Sequence, residues 1–393
     1  MTLTLRGPSK SIRGFEAEVV SRVVRLRSPS TSPQREADAA LIRSSSDFDE
    51  AIASGFRNAI CVDGPCDMSE SENYFPNYAS LDSRFDYLGE GDVLAVEASG
   101  KRVRTLYRRA SKHNSFLTTE RCNHNCLMCS QPPRDIDDAW ILKEIRDALT
   151  LVDPTTTAFT FSGGEPLLNG EAFFDLLTDC RDLLPNTSIH VLTNGRAFAS
   201  SEVTKSWAGL NHPRLMAGIP IYSAVDHIHD YVVQAHGAFD ETVLGVLKLK
   251  DRGQRVEIRV VLHAITAPRI AETCRWLARN LPFVDHIALM GLEHTGFAIA
   301  NDDLLWIDPV DYRDSLAEAV GVLASSGMHV SVYNLTRCVL APSVWPYAVQ
   351  SISDWKNGYL KECEQCSEKP MCSGFFTSGR PRHSRGIAPI LAT

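Results

Sequence analysis

Three cysteines stand close together in Cys122-Asn-His-Asn-Cys126-Leu-Met-Cys129, a C-x3-C-x2-C run. Thiolates at this density suit soft metal ions, and cysteine is the usual ligand of iron–sulfur clusters. Three ligands on a four-iron cubane leave one iron open, where a substrate or cofactor can coordinate. The same spacing also fits a zinc site, which ordinarily takes four ligands and would recruit His124. A second candidate is the turn Thr160-Phe161-Ser162-Gly163-Gly164-Glu165-Pro166. Its glycines permit close backbone approach to a ligand, and Glu165 offers a carboxylate to an ammonium group. A third group lies near the end of the sequence: Cys338, Cys363-Glu-Gln-Cys366 and Cys372. Four cysteines suffice for a closed site, either an auxiliary [4Fe-4S] cluster or a zinc ribbon, and spacing does not separate these. Cys61, Cys66, Cys180 and Cys274 read as buried thiols, with Cys61-x4-Cys66 as a weaker metal pair.

The elements that must position these residues follow from apolar patterning. Apolar strands at 115–119, 157–162, 187–193, 214–222, 255–263 and 284–290 alternate with amphipathic helices, the signature of a parallel sheet or barrel. The ends of parallel barrel strands converge on one face, so the cysteine loop and the glycine turn are expected side by side. The first helix, near Asp138 to Val152, places Ile141, Ile145, Ala148, Leu149 and Val152 on one face. Another is expected to start with Asp308 as N-cap and Pro309 in its first turn, and to end before Gly327. A short strand, His329 to Tyr333, follows. Residues 1–112 read as a β-rich module, interrupted by a Ser/Pro-rich loop at Arg27 to Gln34. Its clearest hairpin runs from Val93 to Val96, turns at Ser99-Gly100 and returns through Val103, Thr105 and Tyr107. The cluster Lys101, Arg102, Arg104, Arg108, Arg109 and Lys112 reads as a solvated hairpin face, or alternatively as a dock for an acidic leader peptide or RNA.

Composition narrows the class. With 393 residues, two or three domains are expected, and 44% hydrophobic with 22% charged residues is globular. The net charge of −8 argues against a general polyanion binder, so no nucleic-acid partner is expected. The opening MTLTLRGPSKSIRG lacks an apolar export core, and no stretch is apolar enough to span a bilayer. A cytoplasmic protein without membrane association is expected, with its eleven cysteines serving metal or redox chemistry rather than disulfides.

Together, the cysteine loop and the Gly-Gly-Glu-Pro turn resemble the radical S-adenosylmethionine (SAM) superfamily over about residues 115–292. The resemblance implies a [4Fe-4S] cluster on Cys122, Cys126 and Cys129, with SAM chelated to the open iron. Gly163, Gly164 and Glu165 would contact the SAM amino group. Met128 stands where relatives commonly place an aromatic residue near the adenine. Asn194, in Leu192-Thr193-Asn194-Gly195, matches a ribose-contacting position. The stretch Ile219-Pro-Ile-Tyr-Ser223, with His229-Asp230 and Gly237-Ala-Phe239, resembles peptide-modifying members, in which Ser223 would contact SAM. Many relatives place an arginine where this chain has Val233, so Arg259 is the candidate partner of the SAM carboxylate; the alternative is an ordinary surface arginine. Most of the histidines, including His227, His229, His236 and His263, read as structural.

The tail resembles the auxiliary-cluster extension called SPASM, or twitch when shortened. Phe376 stands where the full extension has another cysteine, so one auxiliary cluster is implied, on Cys338, Cys363, Cys366 and Cys372. The implied fold is α/β: a partial (β/α)6 radical SAM barrel at 113–300, an N-terminal β-rich module at 1–112 and a C-terminal cysteine-rich auxiliary iron–sulfur domain at 301–393. Ser351-Ile-Ser-Asp-Trp355-Lys-Asn357, the tail spacing and the N-terminal module together resemble the C-type radical SAM maturases of His-Xaa-Ser systems. That family implies a 5′-deoxyadenosyl radical acting on a peptide or small-protein substrate, a second radical SAM protein as partner and an external electron donor. The alternatives are a radical SAM enzyme acting on a non-peptide substrate, and a non-catalytic metal-binding partner of a sister enzyme.

Overall fold

The β-branched and aromatic runs of the first hundred residues curl into a nearly edgeless sheet. The computed structural model describes residues 5–16, 20–64, 74–350, 357–377 and 382–391. The N-terminal strands are β1 (Arg6–Pro8), β2 (Ser11–Arg13), β3 (Arg22–Arg27), β4 (Asp38–Ile42), β5 (Asn58–Val62), β6 (Asn77–Leu81), β7 (Val93–Glu97) and β8 (Arg102–Tyr107), with helix α1 (Ser45–Ala53) after β4. Their order is β1-β8-β7-β3-β4-β5-β6-β2. The outermost strands, β1 and β2, are separated in sequence only by Ser9 and Lys10, whose amides donate to Lys101 and Ser80 on opposite sides. One kinked segment therefore joins both edges and leaves few strand groups unpaired. Phe15, Leu26, Ile60, Leu81 and Leu94 fill the inside, while α1 covers Ala40, Ile42 and Ala59 on the outside. The hairpin of β7 and β8 forms as the alternation predicts, and the Ser/Pro-rich stretch lies between β3 and β4.

The second sheet is wholly parallel: β9 (Asn114–Leu117), β10 (Ala158–Ser162), β11 (Ser188–Leu192), β12 (Leu215–Pro220), β13 (Arg255–Leu262), β14 (His286–Gly291) and β15 (Val330–Tyr333). They lie side by side in sequence order, an open arc whose edge strands β9 and β15 do not pair. Helices α2 (Trp140–Leu149), α3 (Glu171–Leu183), α4 (Ser201–Gly209), α5 (Asp226–Val233), α6 (Ala238–Asp251), α7 (Ile270–Asn280) and α8 (Arg313–Ser325) lie between consecutive strands. The six expected strands are present, each within a few residues of its expected ends. A seventh, β15, pairs with β14 from Ile287↔Val330 to Met290↔Tyr333. Its residues were assigned to the extension, but an apolar four-residue strand finds its partner on the open edge of the sheet. Asp308 caps only a short turn, accepting from the Val310 amide, and α8 itself begins at Arg313.

The two sheets are joined by α2. Val23, Val93 and Tyr107 pack into the same cluster as Ile141, Leu142 and Ile145. Arg104 is not solvated: it donates to Glu144 Oε1 at 2.8 Å and Oε2 at 2.6 Å, and its guanidinium lies 5.3 Å from the Trp140 ring centre. Arg109 pairs with Asp153 at 2.7 Å, and Arg108 covers the Tyr87 ring. Much of the basic hairpin thus joins module to barrel or packs within the module. No helix among the described residues is long and apolar enough to cross a membrane.

Candidate active site

The cysteine loop leaves the C-terminal end of β9 and is fastened from every side. At its base, Asp138 accepts from the Thr119 hydroxyl at 2.8 Å, the Glu120 amide at 2.6 Å and Arg121 Nε at 3.1 Å. Sequence patterning marks Asp138 as the start of a helix; its side chain in fact clamps the loop. Further along, the Asn125 and Leu127 amides donate to Val233 and Val232 at the end of α5. Cys129 O accepts from the Phe297 amide at 2.8 Å, and Asn301 Nδ2 donates to Leu127 O at 2.8 Å. Gly296 makes that approach possible: its φ is +54°, and a Cβ there would stand 2.4 Å from Cys129 O.

Gly163 and Gly164 are needed for a contact within the protein. The Gly164 amide donates to Thr119 O and the Glu165 amide to Arg121 O, both at 2.8 Å. A Cβ on Gly164 would lie 2.0 Å from Arg121 O, and one on Gly163 would lie 2.6 Å from Thr119 O. The turn therefore extends the pairing of β10 with β9 into the cysteine loop.

Glu165 is 1% exposed. Its Oε1 accepts from the Leu167 amide at 3.0 Å and the Thr193 hydroxyl at 2.7 Å, and its Oε2 from the Asn194 amide at 2.6 Å. The sequence reading aimed this carboxylate at a ligand. In the fold both oxygens accept from protein donors, which tie the end of β10 to the end of β11. Burial pushes its pKa upward against those hydrogen bonds. Asn194 Nδ2 donates to Asn123 Oδ1 at 2.6 Å, so β11 also holds the cysteine loop.

Met128 is buried among Tyr222, Val232 and Val233, anchoring the loop to α5 and the turn after β12. Ser223 Oγ accepts from the Val225 amide at 3.0 Å and shapes the turn after β12. Arg259 is not on the surface: it points into the arc, with Nη1 2.7 Å from Glu257 Oε1. His229 and His263 are buried and accept from backbone amides through Nδ1, whereas His227 is exposed beside Asp226.

Burial pushes the Cys122 thiol up to about 11, with the negative charges of Glu165 and Cys129 adding to it. Cys126 and Cys129 are raised by burial as well, Cys126 also by the other two thiols. Such thiols need positive charge among them to ionise, and a thiolate donor set on one loop fits iron held by cysteine sulfur. Burial drives His124 down to about 3, leaving it neutral near pH 7.

The remaining cysteines gather elsewhere. Cys338, Cys363, Cys366 and Cys372 line one small hollow with Tyr359 and Phe375. Burial raises the Cys363 thiol, and Cys338, Cys372 and Cys366 raise it further. The Ile390 amide donates to Cys366 Sγ at 3.3 Å. Among the described residues, no group of three or more His, Cys, Asp or Glu side chains is arranged around a single metal ion. Cys61, Cys180 and Cys274 are buried. Cys66 lies outside the described residues, as do residues 351–356 of the Ser351 to Asn357 stretch.

The family model of the Radical SAM superfamily matches residues 116–277. These residues form a radical SAM domain. The match spans β9 to α7 and contains the cysteine loop, the glycine turn and Arg259. The family implies a [4Fe-4S] cluster and SAM, the equipment of SAM-dependent iron–sulfur enzymes. SuiB of Streptococcus suis bound to S-adenosylmethionine is similar with a TM-score of 0.46 and 14% identity, over 56% of this chain and 50% of that chain. SuiB is also known bound to its precursor peptide SuiA. The anSMEcpe structure with bound AdoMet gives 0.44 and 17%, over 56% of this chain and 62% of that chain. A radical SAM methyltransferase from Sphaerobacter thermophilus gives 0.45 and 18%, over 63% and 74%. This chain thus spans only half the length of the SuiB structure. No curated protein matches it.

Proposed function

We propose that this chain is a radical SAM maturase acting on a ribosomally made peptide or small protein, as in His-Xaa-Ser systems. Supporting this reading is the convergence of four tail cysteines on one hollow, in a chain that also carries a radical SAM domain. The resemblance of that tail to SPASM or twitch extensions, and of Ile219 to Phe239 to peptide-modifying members, points the same way. When bound, a cluster held by Cys122, Cys126 and Cys129 would supply the electron for reductive cleavage of SAM, and with it the radical chemistry that would take a hydrogen atom from the peptide.

The chain's own residues have separate tasks. Cys122, Cys126 and Cys129 hold the cluster in a protected loop. Glu165, Asn194, Gly163 and Gly164 fix that loop against β10 and β11, so the backbone around the glycine turn forms one wall for SAM. Ser223 and Arg259 border the same space, Arg259 as partner of the SAM carboxylate. Cys338, Cys363, Cys366 and Cys372 hold an auxiliary cluster that accepts an electron or anchors the peptide. An external donor reduces the first cluster, and a second radical SAM protein acts on the same substrate.

Anaerobically reconstituted protein is expected to hold about eight irons per chain, the content of two [4Fe-4S] clusters. Replacing Cys122, Cys126 and Cys129 by Ala removes about half of the iron and all SAM cleavage; cleavage that survives the triple change overturns the radical mechanism. Mass spectrometry of a co-expressed small protein with His-Xaa-Ser repeats tests the substrate. An unmodified peptide beside active SAM cleavage and the sister protein overturns the maturase reading alone.

A further inference from the structure

The concave face of the parallel arc carries charge at its centre. Inward positions in parallel barrels are usually filled by branched aliphatic residues, and a buried carboxylate is costly unless paired and hydrogen-bonded. Glu257 of β13 is 5% exposed, yet it draws partners from across the arc. Its Oε1 accepts from Arg259 Nη1 at 2.7 Å. Its Oε2 lies 2.7 Å from His286 Nδ1 of β14, and His286 Nε2 lies 2.9 Å from the Ser331 hydroxyl of β15. His190 of β11 brings Nε2 to 3.4 Å from Oε1. It reaches over β12 because the intervening residue is Gly218, where a Cβ would stand 2.6 Å from His190 Nε2 and 3.3 Å from Arg259 Cδ.

The network leaves one guanidinium edge lightly used. Arg259 Nη2 lies 3.1 Å from Met290 Sδ, and a thioether is a weak acceptor. Burial alone would raise the Glu257 carboxyl, but His286, His190 and Arg259 outweigh it and hold it at about 2. Burial lowers His190 to about 4, so near pH 7 His190 adds no charge. The Tyr222 phenol, raised chiefly by burial, is close enough to feel both Arg259 and the thiols of Cys126 and Cys129. Arg259 lies one inward position closer than Glu257 to the C-terminal strand ends, the end of the sheet at which the cysteine loop leaves β9.

We infer that Glu257, itself oriented by His286, is a positioning residue that fixes Arg259 as the anchor for the carboxylate of SAM. The inference rests on the reading of Arg259 as a cofactor contact. The physical gain is preorganisation: a guanidinium already pinned through Nη1 loses little freedom when its remaining donors meet a carboxylate, and its planar fork matches that partner.

The test compares SAM with its decarboxylated analogue, which lacks only the carboxylate, by equilibrium binding to the iron-loaded protein. The unmodified protein prefers SAM, in part because the carboxylate would also chelate the open iron, and Arg259→Ala removes the share of that preference that the guanidinium supplies. Glu257→Gln keeps the size but not the charge of the side chain; it lowers the preference about tenfold, on the scale of one charge-assisted hydrogen bond. Binding of the analogue and the iron content stay as they were. A purely structural role would weaken both ligands alike, leaving the preference unchanged, and that outcome overturns the inference. Glu257→Asp retains the charge and restores part of the preference; it carries the same comparison where Glu257→Gln takes up no iron. A protein with no preference to begin with, or an Arg259→Ala variant that keeps it in full, removes the Arg259 reading. Loss in Arg259→Ala with full retention in both Glu257 variants leaves Arg259 in place and removes Glu257.

Discussion

The two cysteine groups are built on opposite principles. Cys122, Cys126 and Cys129 ride on a loop tied to β10, β11, α5 and the turn at Gly296 by backbone hydrogen bonds and by the Asp138 and Asn301 side chains. Cys338, Cys363, Cys366 and Cys372 sit on short 3-10 turns, supported by a two-stranded ribbon of β16 (Asn357–Gly358) and β17 (Phe375–Phe376) and by the Ile390 amide. The first group borrows rigidity from a large apolar core. The second has little core of its own, since Tyr359 and Met371 are partly exposed. A small cysteine-rich unit of this kind takes most of its order from bound metal. The comparison teaches that the barrel fastens its cysteine loop through protein contacts, while on the proposed reading the tail site would depend on its metal for order.

The largest expected effect that would break this contrast is in the tail. Cys363→Ala with Cys366→Ala should abolish hydrogen-exchange protection across residues 357–377 and 382–391 while leaving the barrel amides protected. Retained protection there would show that the tail is ordered without metal. Next is Gly164→Ala, whose Cβ must displace backbone at Arg121 O. Overpacking of this sort costs about 1–3 kcal/mol. A lowered thermal midpoint together with poor iron uptake is expected, whereas Gly253→Ala, with nothing within 4 Å, leaves iron uptake unchanged despite its positive φ. Normal iron loading in Gly164→Ala would detach the glycine turn from the cysteine loop. The smallest effect is that of Glu165→Gln. An amide nitrogen cannot accept from the amides and hydroxyl that face it, and a mismatched buried group costs about 1–3 kcal/mol. The loss should appear as reduced stability with or without SAM, because the side chain holds β10 to β11; a change confined to SAM affinity would return Glu165 to direct ligand contact.

Much of this was legible because it is local. Valine, isoleucine and phenylalanine runs marked six barrel strands, and the alternation around Ser99-Gly100 marked the β7–β8 hairpin. The C-x3-C-x2-C spacing named the cysteine loop, and the family match covers it. What the sequence does not show are partners remote along the chain. The donors to Glu165 escape a sequence reading because Thr193 and Asn194 lie one whole βα unit away. The pairing of Arg104 escapes it because Glu144 belongs to another sheet's helix. Asp138 gave no signal at all beyond a helix start, although an acidic residue ahead of an apolar helix and just after a cysteine loop could have been weighed as a clamp.

The sequence by itself determined the periodicities, and with them the α/β class, the strand order along the chain and the cysteine spacing that defines the radical SAM domain. Those properties depend on residues within a few positions of one another, where rotamer preference, strand alternation and loop length act directly. Only the tertiary structure decided that both edges of the N-terminal sheet meet at Ser9 and Lys10, that β15 extends the arc, and that Gly218 opens the way for His190 to approach Glu257. Each of these depends on which strands become neighbours and in what register. Register is set by burial of whole faces against one another, a sum over distant residues that no single stretch of chain contains.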